Sequence, residues 1–533
     1  MKLKTLLATA TLLATGSAVA EKPALNWEQL RGHYQCPEWF ADARLGIWCH
    51  WGAQTAPAEG GGWYARHMFM PDVKNEDWGK NAYKYHCETY GHPSEHGYID
   101  VLDSWKAENL DTDSLIHYFQ NIGAKYFMIL ANHHDHFDNW NSKYHEWNSM
   151  NAGPHRDIVG EFSKSAKKYG MPFCVSSHDD RYLWWFQPAF GCDSTGTYAG
   201  RPYEGRKTKA DGKGKWWEGM DPANLYGIPP EQRTPQWEDS VKRHWLQRHK
   251  QLVTDYDVDM LWFDGFGFPY GDYGKELCTY YYNLRLGNDG KIHGAVAGKI
   301  SNEPSTIRDI ECGGSDTILS EPWQGTLTPN SWFYKVERPM NHSARTILEM
   351  LVDMNSKNGN LMLNVELQPD GTIPPGHRLM LDQIGEWMKI NGEAVYGSRP
   401  WKVFGDNLGS IARRIKSKAN PTETDLATLK ALGEGASEQF NQRTLASPLF
   451  GPDEVRFTKG KDGSLYIFVL APEEGEINLP SLGLGNQAPE VKKLTMLGGD
   501  EKIEYRQKKD ALTFKVPAKR PTRFITVFKA EMK

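Results

Sequence analysis

The 533-residue sequence predicts a (β/α)8-like barrel over residues 21–400 followed by a C-terminal β-sandwich over residues 401–533. Three observations carry that expectation. Short apolar runs recur between amphipathic stretches up to about residue 400, and Asp, Pro and Gly mark where those stretches start and stop. Past Trp401 the pattern changes to strands joined by tight turns. The length also exceeds what one hydrophobic core usually supports, which favours two domains.

The apolar runs, in order, are LGIWCHW (45–51), YFMILA (126–131), PFCVSSH (172–178), DMLWFDG (259–265), GAVAGK (294–299), DTILSE (316–321) and NLMLNVE (360–366). Runs this short and this apolar suit parallel strands buried on both faces. Between them, DTDSLIHYFQNIG (111–123) opens on Asp and closes on Gly. PHRDIVGEFSKSAKKYG (154–170) opens on Pro and closes on Gly, and both read as helices. In the C-terminal part EVRFTKGKDGSLYIFVL (454–470) carries the hairpin signal Asp462-Gly463, and RFITVFKA (523–530) reads as a further strand.

Composition narrows the function classes. A hydrophobic share of 39% with 24% charged residues excludes a disordered chain. The net charge of −5 and the scattered Lys and Arg argue against a nucleic acid or an anionic membrane as partner. The 20 Trp and 24 Tyr supply flat faces that suit sugar rings, although such residues are also ordinary core material. Residues 1–20 read as a signal peptide, with Lys2 and Lys4, an apolar run from Leu6 to Ala14 and a small-residue end at Ala18-Val19-Ala20. The expectation is therefore a periplasmic or secreted product that starts near Glu21. No later run is long and apolar enough for a membrane span. The seven cysteines are an odd number, so at least one has no partner within the chain; Cys49 and Cys174 lie in apolar runs and read as core thiols.

A barrel of this class carries its active site where strands end at the C-terminal face. Reading those ends gives His50-Trp51, His133-His134-Asp135-His136, His178, Trp262 with Asp264, Lys299 and Glu321, with Glu303 and Glu311 in the loop between two strands. A retaining glycosidase needs two carboxyl groups about 5 Å apart, one nucleophile and one acid/base. Asp264 closes an apolar strand, and Gly265 after it leaves room for close approach. The His-rich stretch 133–136 reads as hydroxyl recognition by imidazole, with zinc as the alternative. His133 and His134 would point in opposite directions in an extended chain, which weakens a shared metal. The reading expects no metal and no cofactor.

Five motifs and their order resemble the α-L-fucosidases of glycoside hydrolase family 29: WFADARLGIWCHWG (39–52), WYARHM (63–68), GAKYFMILANHHDHF (123–137) with WNSKYHEWNS (140–149), LWFDG (261–265) and NLMLNVELQPDG (360–371). The resemblance implies a barrel with a C-terminal β-sandwich, Asp264 as nucleophile, and His50, His133, His134 and Trp262 as sugar-binding positions. Trp63 and Tyr64 would form part of the pocket wall. For the acid/base the family variant with Asp-x-Glu before Gly points to Glu311 within RDIECGGSDTILSEPWQG (308–325), with Glu303 and Glu321 as alternatives. Gly62 stands where many members have an acidic residue, and SSHDD (176–180) where they have Tyr-x-Ser. His178 would then replace a tyrosine hydroxyl, and Glu59 or another loop residue the missing carboxylate. The expected partner is a carbohydrate ending in α-L-fucose. L-Galactose adds only a hydroxyl at C6, which an apolar pocket rejects poorly. An α-L-galactosidase acting on algal galactan is therefore the alternative, ahead of a metal-dependent barrel hydrolase.

Overall fold

The computed structural model describes residues 24–73, 81–300, 303–336, 340–434 and 450–533; the expected signal segment 1–20 lies outside the described residues. Eight parallel strands close into a barrel in sequence order. They are β1 (Leu45–Cys49), β2 (Tyr126–Asn132), β3 (Phe173–Ser177), β4 (Met260–Phe266), β5 (Ala295–Lys299), β6 (Ile307–Glu311), β7 (Trp323–Leu327) and β8 (Gly359–Asn364). β8 pairs back onto β1 with Leu361 opposite Leu45.

Alternation along each strand divides the apolar residues into two cores. Trp48, Met128, Cys174, Met260, Trp262 and Met362 fill the barrel, while Ile47, Cys49, Ile129, Val175, Leu261 and Phe263 pack outward. Gly46 has a specific reason to be glycine, since a Cβ there would lie 2.4 Å from the Tyr126 ring that fills the barrel beside it. All seven cysteines are free, with Cys49 and Cys174 buried on opposite faces of the wall.

Two local expectations need correction. DTILSE (316–321) is not a strand but part of the irregular connection between β6 and β7. The two strands that flank it, IRDIE and WQGTL, escape a search for apolar runs because most of their inward positions are polar: Asp309 and Glu311 in the first, Gln324 and Thr326 in the second. Asp309 is buried in β6, where it accepts from Trp262 Nε1 (3.0 Å), Gln324 Nε2 (2.7 Å) and Thr326 Oγ1 (3.2 Å). Those bonds make the polar position tolerable. Glu311, expected in a loop, is therefore the last residue of a barrel strand. The second correction is a helix start: Ile158–Lys168 is capped by Asp157, whose side chain accepts from Gly160 N, and Pro154 lies outside the helix. The other expected helix, Thr112–Asn121, is capped by Asp111 and followed by Gly123 at φ 107°.

The helix Pro375–Val395 ends the barrel, and β9 (Arg399–Asp406) follows directly. β10 (Val455–Lys459), β11 (Leu465–Val469), β12 (Gly475–Leu479), β13 (Val491–Met496), β14 (Tyr505–Gln507), β15 (Leu512–Val516) and β16 (Thr526–Met532) complete the C-terminal unit. They form two antiparallel sheets, ordered β13-β16-β11-β10-β9 and β12-β15-β14. Phe457 and Ile467 from the first sheet share a core with Ile477 and Phe514 from the second, which makes the unit a sandwich.

Candidate active site

A cavity of about 310 Å³ opens at the C-terminal end of the barrel strands. Among the positions singled out in the sequence, it is lined by His50, Trp63, His133, His134, His178, Trp262, Asp264 and Glu311. Trp262 and Asp264 are two residues apart on β4 and so share its inward face, as do Asp309 and Glu311 on β6. β2 ends at Asn132, so the chain is no longer extended at His133 and His134. Both rings consequently enter the cavity, 4.2 Å apart, and the opposite directions expected of an extended pair do not occur.

The two carboxylates are joined by one cation. Lys299, the last residue of β5, places Nζ 2.7 Å from Asp264 Oδ1 and 2.5 Å from Glu311 Oε2. These two carboxylate oxygens are therefore at most 5.2 Å apart, the sum of the two contacts. The other Asp264 oxygen lies 3.2 Å from Arg181 Nη2 and 3.5 Å from His134 Nε2.

These neighbours separate the protonation behaviour of the pair. Burial alone would raise the Asp264 carboxyl, but the charge of Lys299, with Arg181 adding to it, holds it well below the usual carboxylate range. For Glu311 burial wins: its carboxyl is raised, with the Asp264 charge adding to the effect and Lys299 opposing it. Burial also lowers the imidazoles, His50 to about 3 and His134 to about 4, with His133 and His178 well below their ordinary value. Four neutral histidines therefore face the cavity, each able to donate from one nitrogen and accept at the other.

Hydrogen bonds from outside the cavity orient them. His50 Nδ1 meets Asn364 Oδ1 at 3.1 Å, His133 Nδ1 meets Gln54 Nε2 at 2.9 Å, and His134 Nδ1 meets the His178 carbonyl at 2.5 Å. His178 Nδ1 is buried without a hydrogen-bond partner. Trp48 and Trp262 meet edge to face at 4.6 Å and form an apolar floor.

The remaining expectations fare differently. Glu303 is held by Arg31 Nε at 3.1 Å and bonds Ser305; neither it nor the exposed Glu321 lines the cavity. Glu59 does not line it either, and accepts instead from Gly60 N. Tyr64 is buried behind the wall, with its hydroxyl 2.7 Å from His86 Nδ1. Gly62 does line the cavity, and a Cβ there would lie 2.9 Å from both His133 Cε1 and Phe333 Cε2. The space of the absent acidic side chain is thus taken by these two rings. Gly265 is glycine because a Cβ would fall 2.1 Å from Asp180 Oδ2, a reason internal to the protein rather than room for a ligand.

Sequence reasoning gave no role to Lys299 and missed Arg181, Phe266, Thr326, Trp332 and Phe333, all of which line the cavity. The strand-end rule picks out Lys299 without a role and could also have found Phe266, the last residue of β4. Trp332 and Phe333 come from the connection after β7, a strand the apolar pattern did not reveal.

A family model described as Alpha-L-fucosidase matches residues 11–393. Tissue alpha-L-fucosidase of Mus musculus is 27% identical over 400 residues, covering 71% of this chain and 75% of that protein. Plasma alpha-L-fucosidase of Homo sapiens is 25% identical over 401 residues, 72% and 74% of the two chains. The Thermotoga maritima alpha-fucosidase solved in complex with fucose superposes with a TM-score of 0.65 at 24% identity, covering 95% of this chain and 99% of that one; at this identity the likeness speaks for the fold.

Proposed function

We propose, given that the chain belongs to the alpha-L-fucosidase family and is a glycoside hydrolase, that it removes terminal α-L-fucosyl residues from carbohydrates with retention of configuration. The observation that carries the reading is the Lys299 bridge, which keeps the nearest oxygens of Asp264 and Glu311 within 5.2 Å. Retaining glycosidases hold their two carboxyl groups about 5–5.5 Å apart, whereas inverting ones need about 6.5–9.5 Å to admit a water. The α-L-galactosidase alternative is not favoured, since the matched relatives carry fucosidase names.

In this reading Asp264, kept ionised by Lys299 and Arg181, attacks C1 as the bond from C1 to the leaving oxygen breaks. Glu311, whose carboxyl is raised, gives its proton to that oxygen. Forming the glycosyl ester removes the negative charge of Asp264. That loss lowers the Glu311 carboxyl again and suits it to take a proton from water. The water attacks C1 and frees Asp264. The neutral histidines bind ring hydroxyls, and the Trp48 and Trp262 faces pack against apolar edges of the sugar.

Export belongs to the same proposal, on the signal pattern of residues 1–20. Among the described residues no helix is long and apolar enough to cross a membrane.

Proton NMR during early hydrolysis of an aryl α-L-fucoside tests the reaction. Retention requires the α-anomer of free fucose to appear first. The β-anomer appearing first would remove the double displacement, and turnover of the matching α-L-galactoside alone would change the sugar.

A further inference from the structure

Outside the sugar pocket, the described residues bring three imidazoles together: His136 and His145 on the connection after β2, and His244 on the helix Pro235–Asp255 that leads into β4. One ring nitrogen of each lies within 4.8 Å of the others. The first two residues are buried and the third is half-buried.

The hydrogen bonds around the cluster fix which nitrogens remain available. His136 Nδ1 lies 2.8 Å from Asp179 Oδ1 and so donates to it. His145 Nε2 donates to the His136 carbonyl at 2.8 Å, and His244 Nε2 donates to the Tyr144 carbonyl at 2.7 Å. Each ring is therefore held in one tautomer by an acceptor behind it, the arrangement that orients metal-ligating histidines. His145 Nδ1 is buried with no hydrogen-bond partner, an orphaned lone pair inside the protein.

Burial, with the nearby charge of Arg248 adding to it, lowers all three imidazoles. Arg248 stands close, but its charge is already matched by ion pairs with both Asp138 and Asp179. Its Nη1 is nearly equidistant from the two nitrogens of His136, 3.3 and 3.4 Å, and so lies over the ring rather than along either lone pair. A second cavity, separate from the sugar pocket, reaches His145 and His244 from outside and gives an ion a way in.

We propose that His136, His145 and His244 form a binding site for a divalent transition metal of the zinc, copper or nickel type, with water in the remaining position. Three imidazoles select such ions over calcium or magnesium. The ion would tie the connection that carries His133 and His134 to the helix that feeds the Asp264 strand. Its part is to brace the pocket, and no step of the proposed reaction passes through it.

The full chain, stripped with EDTA and dialysed, is titrated with zinc chloride by calorimetry. The wild type should take up one equivalent at this site; His244→Ala and His145→Gln should each lose it. His244→Ala should also hydrolyse its substrate at the unbound wild-type rate, which shows that it has folded. The four pocket histidines are the competing place for zinc. Uptake that persists undiminished in both variants therefore assigns the ion elsewhere and overturns the proposal, as does no uptake by the wild type. If His145→Gln does not fold, the half-buried His244 position decides alone.

Discussion

Replacing Lys299 with Met leaves Asp264 and Glu311 facing each other across at most 5.2 Å without their shared cation. Both carboxylate side chains are close to buried, 12% and 13% exposed, so solvent screens them weakly. Removing one partner of a buried ion pair costs about 3–5 kcal/mol if the charges left behind stay ionised. The molecule can avoid part of that cost by taking up a proton. Glu311 is the group that accepts it, because burial already raises its carboxyl and Lys299 is the largest influence opposing that rise. Asp264 retains Arg181 at 3.2 Å and remains the more acidic of the two. A carboxyl raised in the folded state contributes stability that is complete below its unfolded pKa, about 4.3 for Glu, and is lost as pH rises through the folded value. The Lys299→Met penalty should therefore be small near pH ~4.5 and approach the full ~3–5 kcal/mol at pH ~8.5. Denaturant titrations of wild type and variant across that range measure it. A penalty that does not change with pH, or none at all, would refute the coupling of these three groups.

Other outcomes follow from the same geometry. Glu311→Gln should slow poorly activated leaving groups most, and azide should restore turnover of an activated aryl fucoside as a glycosyl azide; rescue in Glu303→Gln instead would move the acid/base to the residue now held by Arg31. Gly62→Ala should raise KM with less effect on kcat, because its Cβ must displace His133 or Phe333 from 2.9 Å; unchanged kinetics would mean that these rings do not shape the sugar site. Mass spectrometry of the exported protein should give an N-terminus near Glu21, and an intact Met1 would contradict export by a cleaved signal.

The barrel was legible where its strands are apolar, and the site where such strands end in chemistry. LWFDG announces both at once, since period-two alternation puts Trp262 and Asp264 on one face. β6 and β7 were not legible because burial there is paid for by hydrogen bonds: Asp309 inside the barrel is masked as a loop residue until Trp262, Gln324 and Thr326 are seen around it. The same blindness hid Glu311 as a strand residue and the aromatic pair Trp332 and Phe333 beyond β7. Arg181 was hidden for another reason. It follows His178, Asp179 and Asp180 in a short helical turn, and nothing local in the sequence says that its side chain returns to Asp264. The departures at 62 and 178 were visible in the motifs, but their meaning depends on which rings fill the space, a property of packing rather than of pattern.

The central claim is a covalent path through Asp264. Incubation with a 2-deoxy-2-fluoro-α-L-fucosyl donor bearing an activated leaving group, followed by proteolysis and tandem mass spectrometry, tests it most directly. The account predicts one fluorofucosyl ester per chain, on Asp264 in the peptide that contains LWFDG. A label on any other carboxylate, or inactivation-free turnover with no adduct, would contradict it.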